Sequence, residues 1–204
     1  RTALQVGIKH ISQSCGATQV GNAELAGNFP ERSPEDIIKS TGIASRPRAG
    51  EGQTAVSLAV QACRQLLQSE GLHLGDIDTL ICATGTPGLI TPSTACQVLA
   101  AIDPQAQCAA YDINAACSGY LYALGSAYDV LQSRPDARVL VVTTELLSPL
   151  LDPEDYTTAI LFGDAATATL VCGEARLDGC GYRLQRPLLS GQADADGILR
   201  VPHR

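Results

Sequence analysis

Short apolar runs alternating with segments of helical periodicity limit the folds open to this chain more than any other feature. Thr79–Thr84, Ala109–Ile113 and Arg138–Thr144 each suit a single strand, and the last contains Val-Leu-Val-Val, a continuous run of the kind covered on both faces. Between the runs lie amphipathic patterns. Val56, Ala59, Val60, Cys63, Leu66 and Leu67 share one helix face within Gly52–Ser69, and Gly71 stands where the helix should stop. Leu121, Leu124, Tyr128 and Leu131 repeat the pattern in the segment ending at Gln132. Ser93 is placed to cap a helix over Thr94–Ala101, Pro34 opens a short one through Lys39, and Asn22 caps another through Ala26. Further strands are expected at Leu4–Ser12, Ala165–Cys172 and Gly181–Leu188. Strand followed by helix, repeated in this order, predicts an α/β fold with a largely parallel sheet.

The 204 residues suffice for one large or two small domains with a substantial core. A net charge of −7 without any Lys/Arg run argues against nucleic acid and against an anionic membrane surface. The apolar segments are far shorter than a bilayer span and no signal-peptide pattern opens the sequence, so a cytoplasmic protein without a membrane partner is expected. Residue 1 is Arg and Met is absent, so Arg1 is not expected to be a translation start. The 8 cysteines form no C-x-x-C and the 3 histidines, His10, His73 and His203, lie far apart, which favours reduced core thiols and no metal site.

One connection stands out chemically. Tyr111 to Leu124 opens as an apolar strand, turns through small residues at Cys117, and continues as a helix. A cysteine at such a turn receives the first-turn N–H groups and the positive end of the helix dipole, both of which stabilise a thiolate. Ala115, Ala116, Ser118 and Gly119 leave room for a substrate carbonyl. Cys117 therefore reads as a nucleophile, against the alternative of a small core hydrophobe. Asp112 and Asn114 read as turn-forming residues. Arg46 and Arg48 flank Pro47 in what reads as an exposed loop, as solvated charges or as a phosphate contact.

Ala115-Ala-Cys-Ser-Gly-Tyr-Leu-Tyr-Ala-Leu124 resembles the active-site segment of the β-ketoacyl-acyl carrier protein synthase III family, which has the thiolase fold. Ser40-Thr-Gly-Ile43, Thr91-Pro-Ser-Thr-Ala-Cys-Gln97 and Ile160-Leu-Phe-Gly-Asp-Ala-Ala166 follow the same family's order. The resemblance implies an α/β thiolase-like half with a mixed, largely parallel sheet and a buried nucleophile helix. Residues 1–175 would form that half and 176–204 would begin a second, with Gln192–Gly197 as its opening loop. It also implies that Cys117 accepts an acyl group from a thioester before a decarboxylative condensation with a malonyl-type thioester. Thr91, Ser118, Tyr156 and Phe162 are the implied substrate contacts, Arg46 and Arg48 weaker contacts to a coenzyme, and Gly163 and Asp164 structural supports. No cofactor is implied beyond the acyl thioester of a carrier protein or coenzyme A, and a homodimer is expected.

The pattern is broken in three places. The family's catalytic His and Asn lie in motifs such as His-Gln-Ala-Asn and Gly-Asn-Thr, which do not occur here, so a second polypeptide or a C-terminal half is expected to supply them. Asp36 and Ser40 stand where coenzyme-using members carry a Trp and an Arg, and Tyr156 stands where they carry another Arg; a carrier-bound or modified donor is therefore favoured over acetyl-coenzyme A. Thr91 replaces a residue that is often bulky, which favours a primer longer than acetyl. The alternatives are acyl transfer to an oxygen or nitrogen nucleophile, or a non-catalytic thiolase-like partner subunit.

Overall fold

A computed structural model describes residues 3–193 and residue 197. In chain order it contains β1 (Val6–Cys15), β2 (Thr18–Gly21), α1 (Asn22–Ala26), α2 (Pro34–Thr41), β3 (Ser45–Arg48), α3 (Ala55–Glu70) and β4 (Thr79–Ala83). There follow α4 (Thr94–Ile102), β5 (Ala109–Ile113), α5 (Gly119–Ser133), β6 (Arg138–Glu145), α6 (Tyr156–Ala159), β7 (Ala165–Gly173) and β8 (Tyr182–Leu184).

The 6-stranded sheet runs β5-β4-β6-β7-β1-β8. Its parallel pairs are β4 with β5 and β4 with β6, while β6–β7, β7–β1 and β1–β8 are antiparallel. The sheet is thus mixed, with the parallel part confined to the strands that alternate with α4 and α5.

Strand alternation divides the core. Leu80, Cys82, Leu140 and Val142 face α3 and α4, where Leu58, Cys63, Leu66 and Val98 are buried. Ile81, Ala83, Val139 and Val141 face the other way and meet Ala123, Ala127 and Leu131 of α5. A third cluster of Val20, Leu25, Phe29, Ile37 and Ile160 closes a small unit around α1, α2 and the short sheet β2–β3. No helix of the described residues is long and apolar enough to cross a membrane.

Local chemistry fixes the helix ends. In α2, Ser33 and Asp36 form a reciprocal capping box and Gly42 closes the helix at φ 73°. In α3, Thr54 and Ser57 cap the start and Gly71 ends it at φ 64°.

Three expectations need correction. Gly21, not Asn22, occupies the cap position of α1; the Asn22 side chain instead donates to the Ile43 carbonyl and accepts from Arg46. β8 covers only Tyr182–Leu184 of the strand expected over 181–188. The third concerns Arg46, which lies not in an exposed loop but in β3, only 2% exposed. Its guanidinium donates to the Val20 and Ile160 carbonyls and to Asn22 Oδ1, so it ties β2 and β3 to the residues after α6. Part of the loop expected at Gln192–Gly197, and His203, lie outside the described residues.

Candidate active site

The register brings several connections to one edge of the sheet. Ala83 of β4 stands beside Ile113 of β5 and Thr143 of β6, and Glu145, the last residue of β6, pairs with Ala165, the first of β7. The β4–α4 connection with Thr91, the β5–α5 turn with Cys117 and the approach to β7 with Phe162 all leave from this edge. In α/β sheets the carboxyl ends of parallel strands are where ligands bind.

The turn after β5 is built tightly. Ala116–Ser118 form a single 3-10 turn, after which α5 begins at Gly119. Ala116 adopts φ 44°, the left-handed conformation that disfavours any residue with a Cβ. Asn114 Oδ1 accepts from the Ala116 N–H at 3.4 Å, and Ser118 N donates to the Ala115 carbonyl at 3.0 Å. A Cβ on Gly119 would stand 3.2 Å from Ala83 Cβ, so glycine lets the helix start hard against β4. The result is an exposed Cys117 at the start of a 15-residue helix, where no side chain caps the first turn. Ser118 beside it is also exposed.

Cys15 and Cys96 are exposed as Cys117 is but lie on no such turn, and the more enclosed cysteines differ in kind. Burial pushes the Cys63 thiol up to about 12 and Cys172 up to about 11, and it raises Cys82 and Cys108 as well. Such thiols are poor nucleophiles. The two described histidines contribute nothing to this edge. His10 bonds Glu70 through Nδ1 at 2.9 Å, and His73 precedes a 3-10 turn, with its N–H on Asp76. Among the described residues no three His, Cys, Asp or Glu side chains gather as metal ligands would.

Two carboxylates near the site are occupied by backbone groups. Asp112 accepts from the Thr94 and Ala95 N–H groups at 2.7 and 2.8 Å and so caps α4 from β5. Asp164 is fully buried and accepts from Ala49 N, Ser148 N and Ser148 Oγ. Gly163 is required beside it, because a Cβ there would come within 2.8 Å of the Pro47 carbonyl oxygen.

The remaining expected contacts are dispersed. Thr91 is exposed and joined to Pro92 by a cis peptide bond. Phe162 is 37% exposed and follows α6. Tyr156 packs edge-on against Phe29 at 5.2 Å between ring centroids, and the Arg32 guanidinium lies 4.8 Å from its ring centroid. An aromatic ring and a cation are therefore adjacent here, supplied by residues far apart in the sequence. Arg48 donates only a long bond, 3.4 Å, to the Ala159 carbonyl. Arg46 is turned inward and engaged with carbonyls, so it is not available as a coenzyme contact.

A mixed sheet between α3 and α5, with a cysteine on the strand-to-helix turn that begins the buried helix, defines a thiolase-like half. Crystal structures of 3-oxoacyl-(acyl-carrier-protein) synthase III match it. One superposes with a TM-score of 0.79 at 31% identity over 83% of this chain and 50% of that one. Another, from Aquifex aeolicus, superposes with a TM-score of 0.77 at 36% identity over 82% and 53%. Residues 111–183 match the family described as 3-oxoacyl-[acyl-carrier-protein] synthase III. A β-ketoacyl-[acyl-carrier-protein] synthase III from Rhizorhabdus wittichii is 40% identical over 179 residues, 88% of this chain and 53% of the relative. One from Nitratidesulfovibrio vulgaris is 39% identical over 173 residues, 85% and 51%. Over the part that it shares with these relatives, the chain matches the β-ketoacyl-acyl carrier protein synthase III family. It spans about half the length of the curated relatives it matches.

Proposed function

We propose that this chain carries the nucleophilic half of a β-ketoacyl-acyl carrier protein synthase III-like acyltransferase. The exposed Cys117 on its left-handed turn is the observation that carries the reading. The Cys117 thiolate attacks the carbonyl carbon of an acyl thioester, and the sulfur–carbonyl bond to the donor breaks. The donor leaves as a thiolate, which takes up the proton that the Cys117 thiol had released to solvent, and the acyl group stays on Cys117. The Cys117 N–H, at the start of α5, donates to the oxyanion formed on the way. In the second step a malonyl-type thioester loses carbon dioxide, and the resulting carbanion attacks the acyl carbonyl and frees the cysteine. The His and Asn that stabilise that carbanion come from a second half, on the same or another polypeptide.

The donor is bound to an acyl carrier protein. Arg32 already covers the ring of Tyr156, which leaves less of it for a coenzyme base, and Arg46 is buried. Substrate contacts come from Thr91, Ser118, Tyr156 and Phe162. The protein is a cytoplasmic homodimer; β5 of one copy lies against β5 of the next, a contact supported by β5 pairing, among the described residues, only with β4 and by Tyr111 being 38% exposed.

The test is to incubate the full-length protein with acyl-carrier and acyl-coenzyme A thioesters and follow the mass of the Cys117 peptide. An acyl adduct that disappears in Cys117→Ala is expected. No adduct from any donor would overturn the reading in favour of a scaffolding subunit.

A further inference from the structure

The connection from β4 to α4 is pinned at both ends by carboxylates on the two strands that flank β4. At its far end Asp112 of β5 accepts from the Thr94 and Ala95 N–H groups. At its near end Glu145 of β6 accepts from the Gly85 N–H at 2.7 Å and from the Thr86 hydroxyl at 2.6 Å. The Thr86 oxygen also accepts from the Leu146 N–H at 2.9 Å, so the hydroxyl is held in one orientation. Both Glu145 oxygens are thus committed to two consecutive residues of one loop.

The two pins differ in what they serve. Asp112 satisfies first-turn donors of α4, which any helix start requires. The donors on Glu145 belong to no helix and no strand ladder, so no element of secondary structure depends on them. What Glu145 fixes is the position of the loop itself. That loop carries Leu89 and Ile90, which are 52% and 83% exposed, and then Thr91. A Cβ on Gly85 would stand 3.6 Å from Glu145 Oε1 and 3.9 Å from Asn114 Oδ1, so the near end of the loop also abuts the turn that presents Cys117.

We propose that Glu145 is a positioning residue for acyl-chain selection: with Thr86 it sets the loop that carries Thr91 relative to the Cys117 turn. This rests on the acyl-transfer reading above. Glu145→Gln retains one acceptor and cannot accept both bonds; Thr86→Val removes the hydroxyl at nearly constant shape, and Thr86→Ser restores it.

The experiment uses the full-length protein and an equimolar mixture of acetyl, butanoyl, hexanoyl and octanoyl thioesters, with the adducts on the Cys117 peptide counted by mass spectrometry. Glu145→Gln and Thr86→Val should each change the octanoyl-to-acetyl ratio by about tenfold, the lower end of what small differences in pocket space decide. Thr86→Ser should keep the wild-type ratio. An unchanged ratio, or equal loss of every adduct, would mean that the clasp only supports the fold, and would overturn the proposal while leaving acyl transfer intact. Should Glu145→Gln fail to fold, the Thr86→Val and Thr86→Ser pair decides alone. A wild-type protein that loads none of the four would overturn the acyl-transfer reading and this proposal with it.

Discussion

Asp164 offers the sharpest test of how this fold supports its site. It is fully buried, and its side chain accepts from Ala49 N at 2.7 Å, Ser148 N at 2.8 Å and Ser148 Oγ at 2.5 Å. Its own backbone N–H donates to Pro47 and its carbonyl accepts from Gly16. One residue thereby joins the end of β1, the strand β3 and the segment after β6. Asp164→Ala leaves two backbone N–H groups without acceptors, each worth about 1–3 kcal/mol when buried, while the Ser148 hydroxyl can rotate. Relief of the desolvated carboxylate offsets part of this loss, because none of the described ion pairs includes Asp164. The expected net loss is about 3 kcal/mol, against about 1 kcal/mol for Ser148→Ala. Urea unfolding of the full-length protein, wild type and variants, measures both. The double variant should be about as stable as Asp164→Ala alone, since the serine's partner is already gone, which gives a coupling of about 1 kcal/mol. A loss below about 1 kcal/mol for Asp164→Ala, or strict additivity with Ser148→Ala, would refute the assignment of Asp164 as the tie between these segments.

Two other measurements probe the elbow and the core thiols. Ala116→Gly should raise stability by about 0.5 kcal/mol, because glycine tolerates φ 44°, and should slow acyl loading by loosening the turn; a clear loss of stability in calorimetry would contradict the strain argument. The buried thiols predict alkaline sensitivity: Cys63 and Cys172 ionise at about 12 and about 11 when folded, against an ordinary value of 9.0. The unfolded chain then releases their protons first, so their contribution is complete below pH 9 and is lost as pH rises through the folded values. Unfolding free energies measured from pH 8 upward should fall less steeply in Cys63→Ala than in wild type, and equal slopes would rule this out.

What could be read before the structure was known follows from how local each signal is. The apolar run of β6, the helix face of α3 and the small residues around Cys117 express their roles within one or two turns of chain, and all were legible. Arg46 was misread because two arginines around a proline resemble a solvated loop, whereas the carbonyls of Val20 and Ile160 that hold the guanidinium lie 26 and 114 residues away. The sheet β2–β3 escaped notice for a related reason. Four residues with a central proline carry no period-2 pattern, and a two-stranded edge tolerates the missing N–H.

The same contrast governs the site itself. The strand-to-helix turn at Cys117 could be read from its neighbours, but the left-handed Ala116 could not, because alanine does not advertise that conformation. Asp112 looked like a turn residue and proves to cap a helix 17 and 18 residues upstream. Glu145 carries no local signal at all, since a glutamate ending an apolar strand is ordinarily solvated, and only the parallel pairing of β4 with β6 brings it to Gly85 and Thr86. In this fold Cys117 belongs to one connection, whereas the groups that hold the neighbouring β4–α4 loop are carboxylates supplied by the flanking strands. If the proposed acyl transfer holds, substitutions that alter which acyl group is accepted are expected at the strand ends that hold the loop, at residues whose importance no stretch of sequence around them discloses.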